Sequence, residues 1–407
     1  MKYKVIKNDK YDFAGQSYAS TYPNLHKYPA TMLPQIGIEL FKELNLKNGK
    51  LLDPYCGSGS SFAAGLECGF QEMFGYDINP LAVLISRAKF TKVDLEKVKS
   101  CKSKLRNKVF EFIKDEENLK KIETPKFYNI DFWFSENVVQ NLTILKNFID
   151  KIPADIQNLF LVALSETIRD CSYTRNNEFK LYRMKSEDVL EFNPDVLGVY
   201  FDKLNKVLDV YQYCYYPKIN GAKVCVNYNA FPAQKDFFDV VLTSPPYGDS
   251  KTTVAYGQFS MFSNEWLGTN YARQIDNYLM GGKKAKDTFK DGLITDYICE
   301  IEKASPKRAL EVSAFYEDLD YSIEDVAKSV KKGGKIIYVV GNRRVKDVQL
   351  PTDQFIAERF EANGFTHLLT YERVLGNKSM PLKNSPSNKI GETKGTMTKE
   401  FIVVCEK

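Results

Sequence analysis

The sequence predicts an α/β fold: a mostly parallel sheet with helices on its faces, interrupted by a mostly helical insertion. Three observations carry this. Residues 50–92 read as strand, glycine turn, helix, strand, acidic turn and helix, the alternation that builds parallel sheets. Residues 94–216 hold almost no strand pattern. The strand pattern resumes at residue 222 and returns up to the C-terminal residues.

Each element has its own signal. In 29–46, Leu33, Ile36, Leu40 and Leu44 recur at helical spacing. "GKLLDPYCGSGSSFAAGLECGF" is strand, glycine loop and helix, and "EMFGYDINPLAVLISRAK" is a second strand, an acidic turn and a second helix. In the insertion, Val138, Leu142, Leu145 and Ile149 share one helical face, and "NLFLVALSETIRD" is another helix. A βα crossover needs only about a dozen residues, so most of 94–216 is additional to it. "AKVCVNYNA" and "FDVVLTSPPY" are strands, "GGKIIYVVGN" is another, and "PTDQFIAERFEANGF" is a helix closed by Gly364. "THLLTYERVL" and "KEFIVVCEK" are the last strands and flank a long polar loop. The expected organisation is therefore 1–93 with 217–407 as the catalytic domain, 94–216 as the insertion, and 251–320, polar and aromatic, as a segment of that domain suited to target recognition.

Composition narrows the class. With 43% hydrophobic and 27% charged residues, the chain has the mix of a globular domain with a core. It has no apolar run of about 18 residues, which argues against a membrane span, and "MKYKVIKNDKYDF" lacks the apolar stretch of a signal peptide. The eight cysteines form no CxxC pair and only His26 and His367 could assist them, so neither a metal site nor a disulfide framework is expected. A reducing cytoplasm fits. A net charge of +5 permits a nucleic-acid partner without requiring one.

Two stretches carry chemistry. In "LLDPYCGSGSSFAAG" a strand runs into Asp53, then Gly57 and Gly59, then a helix, so the backbone can pass close beneath a ligand at a helix N-terminus. Asp77 ends the next strand, where a carboxylate can accept both hydroxyls of a ribose. The pattern is not GxGxxG and lacks the P-loop lysine, which favours an adenosine ligand other than a nicotinamide cofactor or ATP. The second stretch is Ser244-Pro245-Pro246-Tyr247. Two prolines end a strand's hydrogen-bond ladder at the C-terminal edge of the sheet, where open α/β sheets place their ligands.

Together these motifs resemble those of the amino-group DNA methyltransferases that use S-adenosylmethionine. "DPYCGSGS" is similar to their cofactor motif and "SPPY" to their catalytic (D/N/S)PP(Y/F/W). The resemblance implies a Rossmann-like class I methyltransferase, a seven-stranded sheet whose last strand is antiparallel and inserted between its neighbours. It implies that Asp53, Tyr55, Gly57 and Gly59 line the cofactor, that Asp77 with Ile78 holds its ribose, and that Pro29 and Thr31 of "HKYPATML" lie near its methionine end. Asn229 falls where relatives often carry an aspartate against adenine, a departure.

The chemistry then follows. An exocyclic amine is a poor nucleophile because its lone pair is delocalised into the ring. Ser244 and the Pro245 carbonyl can accept its two N–H bonds and localise that pair, Pro246 stiffens the corner, and Tyr247 can stack on a base swung out of duplex DNA. Cys56 is not needed as a nucleophile. Serine in the first position points to cytosine N4. Adenine N6, guanine N2 of RNA, and a catalytically inactive DNA-binding subunit are the alternatives. The cofactor motif precedes the catalytic one by 185 residues from Gly59 to Ser244, the reverse of many serine-type relatives.

The expected partners are double-stranded DNA and, for a restriction–modification system, a cognate endonuclease. In "RDCSYTRNNEFKLYR", Arg169, Arg175, Lys180 and Arg183 interleave with aromatics, a pattern that suits phosphate and base contacts and equally a solvated surface. Lys378, Lys383, Lys389 and Lys394 dot the C-terminal loop, and Trp266 is expected to pack.

Overall fold

Leu51 and Leu52 show how the sheet is built. They are adjacent on one strand and fully buried, yet they belong to cores on opposite faces. Val240 and Leu242 face one side and Val241 the other, and Ile337 and Val339 alternate with Ile336 and Tyr338 in the same way. A strand that must bury both faces reads as a continuous apolar run, as these do.

The computed structural model describes residues 2–15, 22–175, 179–249, 253–375, 383–384, 394–395 and 397–407. The strands of the main sheet are β1 (Val5–Lys7), β2 (Lys50–Asp53), β3 (Glu72–Asp77), β4 (Lys223–Tyr228), β5 (Phe238–Thr243), β6 (Val330–Val340), β7 (Thr366–Val374) and β8 (Lys399–Glu406). Their spatial order is β1-β7-β8-β6-β5-β2-β3-β4. Strand β8 is antiparallel to both β6 and β7, and the other pairings are parallel. The inserted antiparallel strand is therefore where the resemblance put it. The sheet has eight strands and not seven, because Val5–Lys7 adds to the edge beside β7, with Val5 opposite Thr370. A three-residue strand is too short to carry a periodic signal, and only its pairing makes it a strand.

The helices of one face are α1 (Pro34–Glu43), α2 (Ser60–Glu67), α3 (Pro80–Phe90), α4 (Leu95–Phe112), α5 (Glu136–Ile149), α6 (Ala154–Asp170), α7 (Val196–Val210) and α8 (Tyr256–Trp266). Helix α6 packs on α3, α5, α7 and α8, so the inserted helices share one core with the sheet and form an extra layer upon it. Within the insertion the described residues hold no strand, only an isolated bridge between Thr174 and Arg183. The opposite face carries α9 (Thr295–Ala304), α10 (Pro306–Ser329) and α11 (Thr352–Ala362). Helix α10 is the crossover from β5 to β6, and its Val312, Phe315, Leu319, Ile323 and Val326 are buried. The segment 251–320 thus ends inside a helix whose apolar face belongs to the core. Trp266 is buried at 4% exposure, as packing requires. Lys378 and Lys389 lie outside the described residues.

Gly59 shows how tightly the first βα unit is closed. It sits at φ +86° as the N-cap of α2, and a Cβ there would lie 2.4 Å from the Phe90 ring and 3.0 Å from Ser86 Oγ. Gly59→Ala is expected to cost roughly 2–4 kcal/mol, the left-handed penalty plus overpacking, as a lowered urea midpoint with unchanged slope.

Candidate active site

The winding reverses between β2 and β5. From β2 the chain proceeds to β3 and β4 on one side, while β5 and β6 lie on the other. Such a switch point opens a crevice at the carboxyl ends of the strands. Asp53 ends β2 and Thr243 ends β5, and Thr243 Oγ1 donates to Asp53 Oδ1 at 2.6 Å across 190 residues of sequence. Asp53 also accepts from Ser61 Oγ in the first turn of α2 and from the Tyr55 amide. Burial raises its carboxyl to about 6 against these three donors.

A cavity of about 360 Å³ opens here. Thr31, Asp53, Tyr55, Gly57, Asp77, Ile78, Asn229, Ser244 and Pro246 all line it. The two motifs, from opposite halves of the chain, thus share one space. Gly57 has φ +48° and a Cβ there would meet nothing within 4 Å, so its backbone borders open volume. The loop around it is held from behind: Ser86 Oγ donates to the Gly57 carbonyl at 2.8 Å and Lys89 Nζ to the Ser58 carbonyl at 2.9 Å, both from α3. Burial lowers the Lys89 ammonium to about 7. Asp77 accepts from the Gly57 amide at 3.0 Å and the Asn79 amide at 2.8 Å, and burial raises it to about 6. Burial also pushes the Cys56 thiol up, which keeps it neutral and fits a packing role.

Other expected residues stand outside the lining. Pro29 and Pro245 are buried beside it, and Gly59 lies beneath the loop. Tyr247 is half-buried, its ring close against Gly341 and its hydroxyl 3.0 Å from Glu400 Oε1. Arg169 is a correction. It is 8% exposed, its guanidinium lies 4.5 Å from the Phe259 ring centroid, and it donates to the Phe259 carbonyl. It holds α6 to α8 and is no surface contact. Arg183 is partly committed, donating to the Phe132 carbonyl at 2.9 Å under that residue's ring. Arg175 is exposed and Lys180 half-buried. Their hairpin docks on α8, with Phe179 edge-on to Phe259, and the first residue of α8, Tyr256, lines the cavity.

The sequence reading missed several site residues. Tyr28 and Tyr256 stack at 6.1 Å on the cavity wall. Asn79 is 1% exposed, caps α3, and donates to both Tyr28 Oη and Ser260 Oγ at 3.1 Å, tying three chain segments together. Asp318 and Ser322 reach the cavity from α10. Tyr28 adjoins the quoted "YPATML" and could have been found there; the α10 residues carry no local signal.

This chain is 39% identical to the type II methyltransferase M.MvaI of Kocuria varians, over 98% of its own length and 94% of that protein's. The chain belongs to the type II DNA methyltransferases. S-adenosylmethionine is its methyl donor. A second methyltransferase, M.MjaII of Methanocaldococcus jannaschii, is 32% identical over 26% of this chain and 22% of its own. No family model matches. A Thermus thermophilus protein complexed with S-adenosyl-L-methionine is 20% identical over 44% of this chain and 48% of its own, at a TM-score of 0.21 that carries no weight. For this methyltransferase the cavity is a fitting cradle: Gly57 presents backbone where a side chain would intrude, and a carboxylate stands at the end of the next strand.

Asp77 accepts hydroxyl hydrogens best as a carboxylate. With its proton lost near pH 6, cofactor affinity is expected to be full above pH 7 and to fall as pH drops through about 6. Calorimetric titration between pH 5 and 8 measures this, and Asp77→Ala should be weaker by about 1.5–3 kcal/mol at pH 8.

Proposed function

We propose that this protein methylates the N4 amine of cytosine at a specific site in duplex DNA. The observation that supports this most is Ser244 sharing the cavity with Gly57 and Asp77. Asp77 and Ile78 would hold the cofactor's ribose, Asn229 would lie toward its adenine, and Thr31 and Tyr55 would border its methionine end. When bound, the cofactor supplies a methyl group on a sulfonium that leaves as a neutral thioether once the amine's lone pair forms the N–C bond.

The protein's own task is to make that amine a nucleophile. Ser244 Oγ and the Pro245 carbonyl would accept its two hydrogens, and the prolines fix both directions. The ring of Tyr247 would take the face of the flipped base beside the cavity, a contact worth about 1–3 kcal/mol. Arg175 and Lys180, on the hairpin carried by α8, would meet phosphates near the mouth. A cognate endonuclease recognising the same site would be the partner of such an enzyme.

Nucleoside mass spectrometry of DNA from an expressing host tests the base. N4-methylcytosine is expected, and N6-methyladenine in its place would overturn the cytosine assignment while leaving the corner intact. Tyr247→Ala should keep cofactor affinity and lose most methyl transfer; a wild-type rate would reduce the corner to a strand cap. Reversing Arg175 and Lys180 to glutamate should weaken duplex binding and flatten its dependence on salt. An unchanged slope would make the hairpin mere surface.

A further inference from the structure

Ser244 has one proton, and a line of polar groups stands behind it to receive it. Ser244 Oγ donates to Tyr247 Oη at 3.3 Å, and Tyr247 Oη donates to Glu400 Oε1 at 3.0 Å. The other carboxylate oxygen of Glu400 accepts from Arg373 Nη1 at 2.6 Å, and Arg373 Nε donates to the Tyr11 carbonyl at 2.7 Å. Glu400 and Arg373 are 5% and 3% exposed and face each other across the β7–β8 ladder. An ionised carboxylate only accepts. Tyr247 Oη thus donates its proton toward Glu400 and accepts that of Ser244. The serine oxygen then offers lone pairs to the cavity it lines.

We infer that Glu400, carried by the antiparallel strand, is the end of a relay through Tyr247 that makes Ser244 an obligate acceptor for the target amine and takes up the proton the amine sheds. This rests on the corner acting as proposed above. As the N–C bond forms, one N–H bond of the amine breaks and its proton passes to Ser244 Oγ. The Ser244 proton moves to Tyr247, and the Tyr247 proton moves to the Glu400 carboxylate. Charge balances: the nitrogen loses the positive charge it gained, and Glu400 becomes neutral beside Arg373. Hydrogen bonds in such a chain polarise one another, so the serine oxygen is a stronger acceptor than an isolated hydroxyl. The hydroxyl of Tyr247 thereby has work that base stacking alone does not give it. Tyr247 and Glu400 are positioning and proton-accepting groups acting through Ser244.

The experiment is a mutant cycle read by single-turnover methylation at saturating S-adenosylmethionine on a defined duplex. Tyr247→Phe keeps the ring and removes the hydroxyl. Glu400→Gln keeps an acceptor for the tyrosine and cannot take a proton in its place. Each is expected to slow methyl transfer by about 10²-fold, the scale of general-base catalysis. Cofactor and DNA affinities and the fluorescence of 2-aminopurine at the target position should stay at wild-type values; the melting temperature should hold in Tyr247→Phe and fall in Glu400→Gln, which leaves the buried Arg373 without its counter-charge. The double variant should be no slower than the slower single, as for residues acting as one unit. A wild-type rate in Tyr247→Phe or in Glu400→Gln, or effects that multiply in the double variant, would overturn the relay. Should Glu400→Gln not fold, Glu400→Asp, which keeps the charge beside Arg373 and draws the carboxylate back from Tyr247, takes its place in the cycle and is read the same way. Failure of the relay alone leaves Ser244→Ala inactive, whereas failure of the proposed corner leaves Ser244→Ala and Tyr247→Ala both active.

Discussion

The hydrogen bond from Thr243 to Asp53 is the constraint on which the mouth of the sheet depends. It joins the ends of the two strands that flank the switch point, so the glycine loop after β2 and the proline corner after β5 become one surface. A buried carboxylate is costly unless its oxygens are filled. Asp53 meets that demand with three donors from three places: the next strand, the first turn of α2 and its own loop. Each bond to a charged group contributes about 1.5–3 kcal/mol, and losing one leaves the others to support a desolvated charge. The same residue that borders the cavity is thus the clamp that brings the proline corner to it.

Two further ties carry that geometry outward. Asn79 connects the end of β3 to Tyr28 and to α8, and Phe179 of the basic segment packs on α8 in turn. On the far side, β8 brings Glu400 under the corner, where the buried pair with Arg373 keeps a charge in a dry place. A buried ion pair is weak evidence for stability. Here the oxygen of Glu400 turned away from Arg373 accepts from the hydroxyl of Tyr247, which ties the inserted strand to the proline corner.

Much of this was legible in the residues. Val240 to Leu242 and Leu51 to Leu52 announced strands buried on two faces, and the order of strand, glycines, helix, strand and acid announced a ligand site. The nine motif residues that line the cavity were named from spacing and resemblance alone. Arg169 misled because basic residues among aromatics look alike on a solvated face and in a helix–helix seam; its 8% exposure is decided by what α8 lays over it. Helix α10 went unread within a stretch judged by its polarity, although its buried residues recur at helical spacing.

By itself the sequence determined the local chemistry: which turns need glycine, which corner cannot extend a ladder, and which carboxylates end strands. Those properties are set by side chains within a few residues of one another, so they survive without knowledge of the fold. Only the tertiary structure decided that Val5–Lys7 is a strand, that Asn79 joins three segments, and that Glu400 stands behind Tyr247. Each of those depends on strand register and helix packing between residues far apart in the chain, as Ser244 and Glu400 are, and no local pattern encodes which distant group will fill a buried partner's remaining hydrogen bond.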